Sequence, residues 1–407
     1  ELFVNYSEAP RVPHENAAYS PSSGGDCGYM FFGQGRTHDF AYDSDVICHE
    51  FGHAVVDGTS ALGFFLVDRQ GASYDPGSVN EAVADYFAAT INGDPAMAEY
   101  FRDTTLGAEG ALRNLDNTLS CPDDLVGEVH FDGRIFAGFL WDVHEAIGVE
   151  KSDALAFTSV VSLDAIPSLA EATETVLATA DALWTAGTID ATDRTAIEDA
   201  ARARGLVGCA RVAPLDGGVT RLAFSGTAEV TGSVGGSIAP VQYRIDIPPD
   251  AASLTIDVTD LSARAGEYTI HWDTDGPVRF VASRRPPVIA DGSLAVGEAL
   301  TRTSDPPLPR CHTLFFAIRT DNLATAQQTL YEVTANLALS GTAETCEELD
   351  AGSPPVVDAG APDSGPPLFT PGGGGCTCRA APRSPRGASL LGLGLVFAAL
   401  SRRRARL

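Results

Sequence analysis

An α+β fold class is predicted by three features of the sequence. Helical apolar spacing is concentrated in residues 1–211, short alternating runs fill 212–346, and a Pro/Gly/Asp-rich stretch with a short hydrophobic segment closes the chain. In the first region, 45–57 and 79–91 read as buried helices. Residues 136–147 and 169–185 follow at helical spacing, and 192–204 is an Ala/Arg-rich helix stopped by Gly205. In the second, the runs 241–247, 253–258, 268–272, 313–319 and 331–337 are separated by Gly, Pro and Asp turns, the pattern of an all-β sandwich.

Residues 347–375 are too poor in apolar side chains to bury a core and read as a semi-extended linker. Residues 376–407 hold Cys376, Cys378, a 14-residue apolar run (387–400) and terminal arginines. At about 1.5 Å per residue that run reaches roughly 21 Å, short of the ~30 Å hydrocarbon core, so a sorting or transient anchoring segment is expected rather than a permanent span. The chain starts at Glu1 with no Met and reads as a processed or truncated product.

Composition narrows the function classes. Net charge is −27, and because seven arginines and no acid follow Gly375, the preceding 375 residues carry −34. So acidic a body repels phosphate backbones, which excludes nucleic acid as the expected partner. Eight scattered cysteines in 407 residues make neither a small disulfide scaffold nor a CxxC zinc site. They suit an exported protein with a few bridges, with Cys209, Cys311 and Cys346 as candidate partners and the connectivity open.

The chemistry centres on His49-Glu50-Phe51-Gly52-His53. On a helix, positions i and i+4 share a face, so both imidazoles can reach one zinc ion. Glu50 is turned about 100° away and can take a proton from zinc-bound water without ligating the metal. A catalytic zinc needs a third protein ligand and an open position. The HExxHxxGxxH continuation is absent, since Val56 and Thr59 occupy its Gly and His positions. Asn80-Glu81-Ala82-Val83-Ala84-Asp85 on the next helix offers Glu81 as third ligand and Asp85, one turn on, as acceptor for a zinc histidine's free ring N–H. The other histidines, 14, 38, 144, 271 and 312, read as structural.

These residues resemble the thermolysin/fungalysin-like zinc metalloendopeptidases, over about residues 14–147. The resemblance implies a mainly helical zincin catalytic domain with an edge β-sheet. Asn16-Ala17-Ala18-Tyr19, followed by Gly28-Tyr29-Met30-Phe31-Phe32-Gly33, is similar to the family's edge strand and its neighbour. It implies that Asn16 and Ala17 hold an extended peptide by β-augmentation. Ala111-Leu112-Arg113-Asn114 resembles the segment whose Arg supports a substrate carbonyl. Gly127-Glu128-Val129-His130 resembles the one bearing a histidine that stabilises the oxyanion, so His130 joins Glu50 as a catalytic residue.

Departures from the family pattern are specific. Phe64 stands where the family has an oxyanion-stabilising Tyr, and Asp124 lies one residue from the place of the Asp that orients the histidine. Asp45 matches a calcium ligand, making Ca²⁺ a candidate second ion, while Asn92 replaces a Glu ligand. The 212–346 region resembles prepeptidase C-terminal domains. The tail resembles myxobacterial C-terminal sorting signals (MYXO-CTERM), which implies a sorting protease as partner and a final place in the medium or at the outer surface of a Gram-negative cell.

The expected activity is that of an exported, monomeric zinc endopeptidase acting on peptides or proteins. Two alternatives use the same residues: a surface adhesin or binding protein with a structural or degenerate zinc site, and a zinc aminopeptidase, for which no GxMEN-type segment is present.

Overall fold

The computed structural model describes residues 2–7, 12–21, 28–36, 38–100, 110–216, 218–224, 237–261, 268–281, 288–320, 330–341 and 345–346. The linker and the sorting segment expected at 347–407, Cys376 and Cys378 among them, lie outside these residues, as does Cys27.

Helices and sheets are both present and follow one another along the chain. A small sheet comes first, from β1 (Leu2–Tyr6), β2 (Ala17–Ser20) and β3 (Tyr29–Gly33) in the order β1-β3-β2, so β2 is an edge strand. Helix α1 (Ser44–Asp57) starts at the Asp43 N-cap, whose carboxylate accepts from Asp45 N and Val46 N. The hairpin β4 (Leu66–Asp68) and β5 (Gly71–Ser73) leads into α2 (Asp75–Asn92), which has Pro in its first turn and ends on Gly93 at φ 73°. Two short strands, β6 (Ala96–Met97) and β7 (Arg113–Asn114), pair antiparallel. Then come α3 (Val129–Ile147), α4 (Val149–Ser162), α5 (Leu169–Thr185) and α6 (Ala191–Ala203).

Helix α2 begins at Asp75 rather than at 79, and two other helices differ more from the sequence reading. Helix α3 begins at Val129 rather than near 136, because Glu128 caps it by accepting from His130 N and Phe131 N. Asp132 and Gly133 interrupt the apolar spacing of that first turn without interrupting the helix. Helix α4 was not foreseen at all: it begins directly after Gly148, and its small and hydroxylated residues give a weak apolar stripe.

The β-rich part contains β8 (Val212–Pro214), β9 (Thr220–Phe224), β10 (Ser237–Ile238), β11 (Gln242–Asp246), β12 (Ala251–Asp260) and β13 (Tyr268–Asp273). It continues through β14 (Arg279–Phe280), β15 (Val288–Ile289), β16 (Gly292–Ala295), β17 (Ala299–Thr301), β18 (Thr313–Thr320) and β19 (Leu330–Leu339). One sheet runs β16-β13-β18-β11-β8 with β10 also on β18, and a second runs β17-β12-β19-β9. Alternation along β11 and β19 sends Tyr243, Ile245, Tyr331, Val333 and Ala335 inward. Disulfides join Cys121 to Cys209 and Cys311 to Cys346. The apolar core is continuous between the parts: Val83, Phe136 and Leu140 belong to the same buried cluster as Tyr243, Phe316 and Tyr331.

Candidate metal centre

Helix α1 turns Asp45, His49, Gly52 and Val56 to one buried stripe, and α2 packs against it. The approach is close because residue 52 has no side chain: a Cβ there would lie 2.7 Å from Ala84 Cα. On the far side of α2, Gly133 of α3 makes the same accommodation, since its Cβ would fall 2.9 Å from Ser78 O and 3.3 Å from Glu81 Cβ. Two glycines thus let three helices converge around the stretch 78–85.

The convergence assembles a donor set. His49 Nε2 and His53 Nε2 are 3.0 Å apart, Glu81 Oε2 is 3.3 Å from His49 Nε2, and Glu81 Oε1 is 3.6 Å from His53 Nε2. Ligands at about 2.0–2.1 Å around a tetrahedral ion stand about 3.3 Å from one another, so the three spacings match a zinc-sized ion. Among the described residues this is the group of three or more His, Cys, Asp or Glu donors close enough to share an ion. Glu81 Oε2 is also buried without a hydrogen-bond partner, a state that a cation would relieve.

The outer nitrogens of both imidazoles are held. His49 Nδ1 sits 2.7 Å from Asp85 Oδ1, and His53 Nδ1 lies 2.8 Å from Asn80 Oδ1. Asp85 accepts two further bonds of 2.7 Å, from Nε and Nη2 of Arg113. Burial alone would raise the Asp85 carboxyl, but Arg113 and His49 outweigh it and hold the group well below the usual carboxylate range. Burial pulls His49 down while Asp85 and Glu81 push harder, leaving it near 10 without a cation present. For Glu81, burial pushes up and His130, His53 and His49 outweigh it. The carboxylate is ionised and fit to ligate.

Glu50 stands beside this set on α1. It is buried, its Oε2 has no hydrogen-bond partner, and it receives a hydrogen bond from the Tyr19 backbone. Burial raises its pKa above the ordinary glutamate value. That is the state expected of a carboxylate poised to exchange a proton rather than to hold an ion pair.

His130 opens α3 with Nε2 3.4 Å from Glu81 Oε2, so it lies at the same cluster. Its Nδ1 is 2.8 Å from Glu128 Oε1. Asp124 lies one residue from the place of the family's orienting Asp. Asp124 instead accepts from Ser120 N at 2.9 Å, and Glu128 fulfils the task. Glu128 and Asn80 are the site residues that sequence reasoning missed. A helix cap two residues before a histidine is a readable signal for the first, whereas Asn80 had only its place before Glu81.

The remaining candidates are placed as follows. Ala17 begins the edge strand opposite Phe32, and exposed Asn16 uses its carbonyl to accept from Gly33 N. Arg113 is partly buried, with its guanidinium on Asp85. Asp45 Oδ1 accepts from Asn92 Nδ2 at 2.5 Å and Oδ2 from Ala98 N at 2.8 Å, and the Glu99 carboxyl is hydrogen-bonded to it as well, but among the described residues Asp45 belongs to no group of three or more donors that could share an ion. Phe64 packs edge-on to Tyr74 with centroids 5.5 Å apart and offers no hydroxyl.

A scan against known protein families finds no match, and no curated protein matches in sequence. Among solved structures, the chain is similar to the precursor of protealysin, a metalloproteinase from Serratia proteamaculans. The identity is 17% and the TM-score 0.37, over 44% of this chain and 63% of that one, so the chain spans less than two thirds of that structure's length.

Proposed function

We propose that the protein is an exported zinc metalloendopeptidase. The observation that carries this reading is the convergence of His49, His53 and Glu81 at ion-sharing distances, with Glu50 buried beside them and His130 at the same cluster. His49, His53 and Glu81 would hold the zinc, which when bound supplies polarisation of a peptide carbonyl and a water acidified toward pKa ~7. Glu50 takes the proton of the attacking water and returns it to the leaving amine. Protonated His130, steadied by Glu128, donates to the oxygen on which negative charge develops. Among the described residues β2 is an edge strand, and an extended substrate added along it by backbone pairing would be recognised by its peptide backbone more than by any one sequence.

The two disulfides among the described residues support export to an oxidising compartment. Processing of the tail by a sorting protease belongs to the same proposal, as does the separation into a catalytic region and an appended sandwich. The binding-protein alternative draws on Phe64, which leaves the oxyanion one donor short of the family pattern.

The test uses the full chain. One zinc per chain by elemental analysis is expected, with hydrolysis of an end-blocked quenched peptide that 1,10-phenanthroline abolishes and zinc restores. Glu50→Gln should keep the zinc and lose about 10²–10⁴-fold in kcat. Stoichiometric zinc with no turnover on any peptide would favour the binding protein, and activity confined to free amino termini the aminopeptidase.

A further inference from the structure

The two segments that lead into the helices of the site are both fastened to the β-rich part of the chain, or to Arg211 just before its first strand, 98 or more residues away in sequence. The first is the β4–β5 hairpin, which runs into α2 and so into Glu81. Arg211, buried, donates through Nη2 to Asp68 Oδ1 at 2.6 Å and through Nη1 to Ala72 O at 3.3 Å. Phe280 N donates to Arg69 O at 2.5 Å, and Gly71, at φ 106°, faces Phe280 and Ile238.

The second is 123–128, which ends at the Glu128 cap and delivers His130. Phe224 N donates to Val126 O at 2.9 Å, and Arg221 reaches the Asp123 carbonyl and lies 3.3 Å from its carboxylate. Gly127, at φ 88°, leaves room for Pro240, whose Cβ would stand 3.0 Å from a Cβ at 127. From the opposite side Asp132 accepts from Val126 N at 2.7 Å and Gly127 N at 2.8 Å. The two fastenings meet at one residue: Pro240 abuts Gly127 through its ring and accepts from Arg211 Nη1 through its carbonyl at 2.6 Å.

We infer that the β-rich part is a brace that sets His130 against the Glu81 helix, with Arg211, Pro240 and Arg221 as positioning residues, and not a module that could be removed without effect on the chemistry. A buried arginine with three acceptors and a proline against a left-handed glycine are rigid contacts, and both lie directly upstream of groups whose spacing must be held closely. A displacement of about 1 Å in such groups costs about 10²-fold in rate.

The kinetic arm of the test rests on the peptidase reading, and the structural arm does not. Full-length wild type, Arg211→Met and Arg221→Ala are compared by amide hydrogen exchange and by peptide hydrolysis. Protection should fall about tenfold or more in 66–73 for Arg211→Met and in 122–131 for both variants, with α1 changed less than about twofold. Zinc content should stay at the wild-type value, and kcat should fall about tenfold with KM within about twofold. Unchanged protection in those segments overturns the brace, as does lost protection with an unchanged kcat. Should Arg211→Met fail to fold, Arg221→Ala decides alone, because Arg221 lies at the edge of the interface. If wild type cleaves no peptide, the peptidase reading fails and the exchange data still decide whether the segments are braced.

Discussion

Glu128 holds His130 twice: Oε1 lies 2.8 Å from the ring Nδ1, and Oε2 accepts the residue's own backbone N–H at 3.0 Å. One carboxylate therefore fixes both where α3 begins and how the imidazole faces Glu81. Glu128→Gln keeps an oxygen for the cap and loses the charge beside the ring, so stability should change little while kcat falls by about 10²-fold. Glu128→Ala should also lose about 1–2 kcal/mol of cap stability in urea unfolding. Equal activity in the two variants and wild type would remove Glu128 from the site.

Asp85 joins His49 to Arg113, and removing it strands both. In Asp85→Ala, zinc affinity by chelator competition should weaken about 10–100-fold. Apo stability should fall by about 2–3 kcal/mol, because the largely enclosed guanidinium loses its partner. The double substitution Asp85→Leu with Arg113→Met should recover much of the stability and none of the affinity.

Gly52 is the contact point of α1 and α2. Gly52→Ala must push Ala84 away, which should cost about 1–3 kcal/mol. The same separation draws the two histidines from Glu81, so zinc affinity should fall with stability, a pairing readable by calorimetry with and without metal.

Far from the site, Asp193 completes the capping box of α6 and lies 2.6 Å from Lys151 Nζ. Burial works to raise its pKa, but Lys151 and the Asp190 N–H outweigh it, so the folded value is depressed. The stabilisation is therefore present above the ordinary carboxylate pKa of about 3.9 and fades as pH falls through the lower folded value. Asp193→Ala should cost about 1 kcal/mol at pH 7 in denaturant titrations, and the gap from wild type should narrow below about pH 3.

How much of this could be read in advance depended on whether the information was local. The spacing of His49, His53, Glu81 and Asp85 is set by two helices whose periodicity is plain in the sequence, so their juxtaposition was foreseeable once both were taken to pack. Glu128 was hidden because its usefulness comes from capping geometry and not from a spacing on a helix face. The resemblance gives Arg113 a substrate carbonyl to support, and only the fold brings its guanidinium onto Asp85. Helix α4 is hard to read because Ser152 and Ser159 lie on its buried face while Phe157 and Val161 lie on its exposed one, and the early start of α3 because Gly133 reads as a breaker when its role is close packing against Ser78.

The shared interior of the helical and β-rich parts bears on how the molecule comes apart. Because Val83, Phe136, Tyr243 and Tyr331 belong to one cluster, water cannot enter one part without loosening the other. Melting should thus be a single event, with calorimetric and van't Hoff enthalpies in agreement.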